Sequence, residues 1–74
     1  MTSANLNARW TVAKLDVHTR AELKVTPCRD EAEARYLFDV ACMDAKLYGG
    51  RFELRRPDGR YVSEFAVTLP EEKP

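Results

Sequence analysis

DEAEARYLFDVACMDAKLY, residues 30–48, is the stretch that decides the fold. Wound as a helix at about 100° per residue, it places Ala34, Leu37, Phe38, Ala41, Ala45 and Tyr48 on one apolar stripe. Tyr36, Val40, Met43 and Leu47 form a second stripe on roughly the opposite side. Thin charged strips separate the two, with Arg35, Asp39 and Lys46 along one edge and Glu33 and Asp44 along the other. A helix that lies on one sheet needs one apolar face, so the second stripe predicts a surface for another molecule.

The helix ends are marked. Asp30 followed by Glu33 is a D-x-x-E variant of the capping box, with acids in the first turn where the helix dipole favours them. Thr26 before Pro27 is the rival cap, because proline suits the first helical position. Glu31/Arg35 and Arg35/Asp39 are spaced four apart and support the helix. Gly49-Gly50 stops it, since glycine takes left-handed backbone angles cheaply.

Strands flank the helix on both sides. Residues 10–17 carry Thr11, Ala13, Leu15 and Val17 on one face and Trp10 and Val12 on the other, which suits a central strand or a bulge. His18, Thr19 and Arg20 make a turn, after which residues 21–26 alternate, Ala21, Leu23 and Val25 against Glu22, Lys24 and Thr26. Residues 51–56 and 60–69 are two strands joined through Pro57-Asp58-Gly59. A two-residue Asp58-Gly59 turn sets Phe52 opposite Phe65, Leu54 opposite Ser63 and Arg55 opposite Val62, whereas a three-residue loop with a bulge sets Phe52 opposite Glu64. Keeping the aromatics together favours the first register. It also opposes Glu53 to Glu64, a cost unless Arg51 or Arg55 intervenes diagonally.

The expected fold is α+β in the order β-β-α-β-β, a four-stranded, mostly antiparallel sheet with one helix packed on one face. The first and last strands are the most apolar, and the second and third carry more exposed charge. Central strands should be apolar and edge strands charged, which favours the spatial order 2-1-4-3. That arrangement resembles a β-grasp domain across residues 10–69, in architecture and in no residue motif. A plain four-stranded meander is the competing order. Residues 1–8 are expected to be a flexible arm, 9–69 a single domain and 70–74 a flexible tail.

Size and charge narrow the function. Seventy-four residues make one domain near the lower limit for a self-sufficient core. Twelve basic and twelve acidic residues leave zero formal net charge, so nothing global argues for nucleic acid or an anionic membrane. No apolar run approaches the ~20 residues of a membrane span, and the N-terminus lacks a basic start and an apolar core, so the chain is read as complete, soluble and cytoplasmic. Cys28 and Cys42 are fourteen residues apart. On or beside one helix that is ~20 Å along the axis, too far for a disulfide, and reduced thiols fit the cytoplasm.

Catalytic chemistry finds no foothold. His18 is the one histidine and sits in a turn, and Ser3 and Ser63 have no base or orienting partner in their sequence context. Cys28 beside Arg29 near a helix start is a candidate low-pKa thiol, but there is no C-x-x-C and no obvious resolving partner. Metal-ligand spacings are absent, and Gly49-Gly50 precedes a strand rather than opening a helix. No catalytic residue, cofactor or metal is therefore expected.

Binding remains. The expectation is a small non-enzymatic protein that occludes or bridges a macromolecular partner, or associates with itself, through Tyr36, Val40, Met43 and Leu47 on the helix. Phage or mobile-element inhibitors of host machinery, including those of the anti-CRISPR type, are one class of small protein that works this way. The second contact candidate is the hairpin carrying Arg51, Arg55, Arg56, Arg60 and Tyr61. With Tyr48 and Phe52 it interleaves cations and aromatics, a pattern that also serves RNA or single strands, so a nucleic-acid accessory protein is the alternative. Two coverings within one chain compete with the partner surface: a sheet curled around both stripes, or the N-terminal arm folded over one.

Overall fold

The computed structural model describes residues 9–69. The chain runs through β1 (Thr11–Leu15), β2 (Glu22–Pro27), α1 (Glu31–Tyr48), β3 (Gly50–Arg55) and β4 (Tyr61–Val67). The four strands form one antiparallel sheet in the order β2-β1-β3-β4, with α1 packed on one face. The expected α+β class and element order hold. The arm assigned to residues 1–8 and the tail assigned to 70–74 lie outside the described residues.

The favoured order 2-1-4-3 is corrected. β3, not β4, lies beside β1, and it runs antiparallel to it, with Val12 opposite Leu54 and Lys14 opposite Phe52. The sheet is not a meander either, because α1 carries the chain from edge strand β2 past β1 to β3. Charge on β3 had pointed to an edge. Its charged residues instead share the face away from the helix, where they are paired, while Phe52 and Leu54 on the helix side are buried. Alternating charge on this strand marks an open sheet face, not an exposed strand edge.

Register in the second hairpin reconciles two demands. Phe52 pairs with Phe65, Glu53 with Glu64 and Leu54 with Ser63, as the aromatic contact requires. The turn is nevertheless the three-residue kind. The Gly59 N–H donates to the Arg56 carbonyl at 2.9 Å and the Arg56 N–H to the Arg60 carbonyl at 2.8 Å, with Gly59 at φ 92°. The mismatch is absorbed by a bulge, so Arg55 pairs with Tyr61 rather than Val62, and Val62 is the extra residue. A matching irregularity in β1–β2 leaves Leu23 as the extra residue between Lys24 and Glu22.

The helix caps as its sequence indicates. Asp30 Oδ1 accepts the Glu33 N–H at 2.9 Å, and Glu33 Oε1 accepts the Arg29 N–H at 2.6 Å; Thr26 is not the cap, since β2 continues through Pro27. At the other end Gly49 has φ 79° and donates its N–H to the Ala45 carbonyl at 2.7 Å. A side chain at Gly49 would also meet Leu69 and the Val67 carbonyl at 3.3 Å. Ala34 and Ala45 are fully buried and let α1 approach the sheet closely. They join Val12, Cys28, Phe52 and Leu54 in the core, flanked by Trp10, Leu37, Phe38, Ala41, Phe65 and Val67. Tyr48, expected on this stripe, is instead exposed at the last turn.

Candidate functional site

One helix cannot cover four strands. A helix is about 10 Å across with its side chains, and neighbouring strands are about 4.8 Å apart. α1 packs on β1, β3 and β4, and β2 is left exposed along almost its whole length. Between the helix and the β1–β2 hairpin runs an open groove of about 460 Å³ whose apolar floor includes Val12 and Phe52 and whose helix wall includes Leu37 and Val40. Lys14 and Lys24, cross-strand partners, rim it opposite Asp44. Sequence reasoning did not single out this lysine pair; the signal was a lysine at position 14 interrupting the Trp10–Val12 side of a central strand.

The outward stripe of α1 borders this groove. Tyr36 is 66% exposed, Val40 45%, Met43 65% and Leu47 69%. The sheet does not curl over them. Their position follows from helical geometry: the side chains that anchor α1, Ala34 and Ala45, point roughly opposite, so the same rotation that buries one stripe presents the other. Scattered exposed apolar residues are ordinary, whereas four neighbouring large ones on a single rigid helix form a patch.

The arginine hairpin is divided by the structure. Arg51 Nη1 is paired with Glu64, which supplies the diagonal partner that the opposed glutamates needed. Arg55 donates from Nε to Glu53 at 2.9 Å and from Nη1 to Glu22 at 2.7 Å. Burial alone would destabilise the Arg55 cation, but these two carboxylates hold its pKa above the ordinary arginine value. Arg51 and Arg55 are thus engaged within the open face of the sheet. Arg56, Arg60 and Tyr61 remain exposed at the hairpin tip, with Asp58 between the two arginines accepting the Arg60 N–H at 3.0 Å. A stacking ladder would need Phe52 exposed, and Phe52 is in the core.

Thiol chemistry is not favoured at Cys28. Its side chain is 1% exposed and its Sγ lies 3.7 Å from the Thr26 carbonyl. Burial, reinforced by Glu33 and Asp30, pushes the thiol pKa up rather than down. His18 is exposed in the β1–β2 loop and donates its backbone N–H to Asp16. Among the described residues no three metal-ligating side chains come together, and no helix is long and apolar enough to cross a membrane. No family model, characterised protein or solved structure matches the chain.

Proposed function

We propose that this protein is a non-enzymatic binding module whose contact surface is the outward face of α1. The observation that supports the reading is the exposure of Tyr36, Val40, Met43 and Leu47 on a helix already anchored to the sheet by its opposite side. Such a surface acts by occupation: an aromatic, an adaptable methionine and two aliphatics bury against a complementary apolar patch, and the sheet behind them adds bulk that occludes or bridges. Occlusion or bridging of a macromolecular partner, or self-association through the same face, is the mode this reading favours. Cytoplasmic residence belongs to the same reading, which accords with two free cysteines, Cys28 and Cys42.

The test uses the full chain and two variants, Val40→Asp and Met43→Lys. Both put a charge on the stripe without touching the core. The expected result is loss of association, read as solution mass and as affinity capture from the native host, with an unchanged circular-dichroism spectrum. Retained association in both folded variants would overturn the reading. So would retardation of single-stranded RNA that weakens steeply with salt and depends on Arg56 and Arg60, because that outcome moves the function to the hairpin tip.

A further inference from the structure

We infer that the occupant of the α1 face is a second copy of this chain, docked with its helix antiparallel to the first about a two-fold axis beside residues 41 and 42. The inference rests on the binding role of that face and goes on to name its partner.

The spacing of the stripe is the first argument. Tyr36, Val40, Met43 and Leu47 follow one another by four, three and four residues, the a/d pattern of a helix pair. That spacing reads the same in both directions. Turned end for end about its midpoint, the stripe sets Tyr36 against Leu47 of the other copy and Val40 against Met43. The same two contacts recur on the far side of the axis. Four side-chain layers then stack along ~16 Å of helix at 1.5 Å per residue, and large meets small in the central layers. Any stripe at helical spacing has this end-for-end symmetry, so the spacing permits the two-fold contact, which must be self-complementary, and the flanking charges carry the choice of partner.

Charge decides the direction. In the same repeat Asp39 and Lys46 flank the stripe on one edge, and Asp44 flanks it on the other, beside Leu37. In an antiparallel pair like edges meet, so Asp39 of each copy faces Lys46 of the other, giving two opposite-charge contacts. A parallel pair would bring unlike edges together and put Asp39 against Asp44 twice, which repels. Both Asp39 and Lys46 are exposed, and among the described residues neither takes part in an ion pair within its own chain. Their neighbours Glu31 and Arg35, by contrast, are already joined at 2.7 Å. Zero formal net charge removes general repulsion between two copies. The face is narrow, so the dimer is expected to be weak and to exchange quickly.

Sedimentation of the full chain between about 10 μM and about 1 mM tests this, alone and with charge variants. Wild type should shift from monomer to dimer within that range. Asp39→Lys and Lys46→Asp should each weaken dimerisation by about tenfold, since each converts two attractive contacts into two repulsive ones. An equimolar mixture of the two variants should dimerise as well as wild type, because each then supplies the charge the other lacks. The double variant Asp39→Lys/Lys46→Asp should also recover. A wild-type chain that stays monomeric throughout overturns the inference, as does a dimer indifferent to both single variants. If a monomeric chain still loses capture of a host protein on Val40→Asp, the second-copy assignment fails while the binding role of the face stands. If Val40→Asp changes neither mass nor capture, both fail together.

Discussion

The Arg55 guanidinium reaches Glu22, 33 residues away in sequence, at 2.7 Å, and so ties central strand β3 to edge strand β2 across β1. Beneath that reach lies Ala13 of β1, paired to Val25 on one side and Glu53 on the other and fully buried although it faces away from the helix. Over β1 the open face of the sheet is thus crossed by its own ion pairs, and the long arginine stem there lies where a second layer would otherwise pack. Arg55 should matter more than Glu22. Glu22 is half exposed, so Glu22→Gln is expected to cost under about 1 kcal/mol. Arg55→Ala also strands the largely buried Glu53 and uncovers Ala13, and is expected to cost about 1–3 kcal/mol. Ala13→Leu should cost a similar ~1–3 kcal/mol by overfilling the space under the arginine stem. Urea unfolding of the three variants checks the ranking.

The two hairpin loops predict substitutions of opposite sign. Gly59 has φ 92° and open space where a side chain would go, so Gly59→Ala should lose about 1 kcal/mol through backbone strain alone. Arg20 has φ 67° and is the one non-glycine residue with positive φ among those described. Its N–H donates to the Asp16 carbonyl at 2.8 Å, which closes the loop in that conformation. Arg20→Gly relieves the strain and adds unfolded-chain entropy, so it should fall between neutral and about 1 kcal/mol stabilising. Thermal melting of the pair separates the signs.

The contrast between these loops and the helix shows where the fold was legible in the sequence. Asp30, Glu33 and Gly49 mark the helix ends by local chemistry that needs no tertiary context, and the structure uses all three. The Phe52–Phe65 register was legible because two aromatics on one face outweigh turn preference. The turn itself was not, since a bulge at Val62 satisfied both. Strand order failed for a different reason. Arg51, Glu53 and Arg55 are as charged as an edge strand, and only knowledge of their partners Glu64 and Glu22 shows that the charge is neutralised across a central position. Exposure of the α1 stripe was legible from periodicity. The groove beside it was not, because it depends on where the helix sits over the sheet.

Asp16 gives the β1–β2 loop a pH dependence of defined sign. Its carboxylate accepts the backbone N–H groups of Thr19, at 2.9 Å, and His18, at 2.8 Å. Those donors hold its pKa below the ordinary aspartate value. The unfolded chain, with the ordinary value, binds the proton more readily. Stability from this contact is thus fully present above about pH 4 and is lost as pH falls through the depressed native value. Asp16→Ala should lower the melting temperature at neutral pH, and the difference from wild type should shrink toward about pH 2. Melting curves of both proteins across that range check it; a difference that persists in acid would assign the loop's stability to something other than the carboxylate.

The two thiols should label in a fixed order. Cys42 is partly exposed on α1 and Cys28 is sealed in the core. Burial raises both pKa values, with help from Asp39 at Cys42 and from Glu33 and Asp30 at Cys28. A neutral alkylating reagent at neutral pH is expected to modify Cys42 slowly and Cys28 only when the fold opens. Mass spectrometry of timed samples, with and without urea, reads the two rates. Equal labelling in the native protein would contradict the burial of Cys28.

Core and stripe should respond differently to similar insults, and that difference is the most direct physical check on the functional reading. Leu54 is one of the two largest fully buried side chains and packs in the cluster under α1. Leu54→Ala removes buried surface and leaves a cavity, and is expected to cost about 2–5 kcal/mol, a large share of what so small a domain possesses. Met43 is largely exposed and outside that cluster. Met43→Lys keeps a long side chain of good helix propensity, so at protein concentrations too low for association its stability should stay within about 0.5 kcal/mol of wild type. Denaturation at a few fixed concentrations tests both halves. At high concentration wild type should gain stability that Met43→Lys does not, because association binds only the folded state. A Met43→Lys protein as unstable as Leu54→Ala would mean that the stripe supports the fold rather than facing a partner.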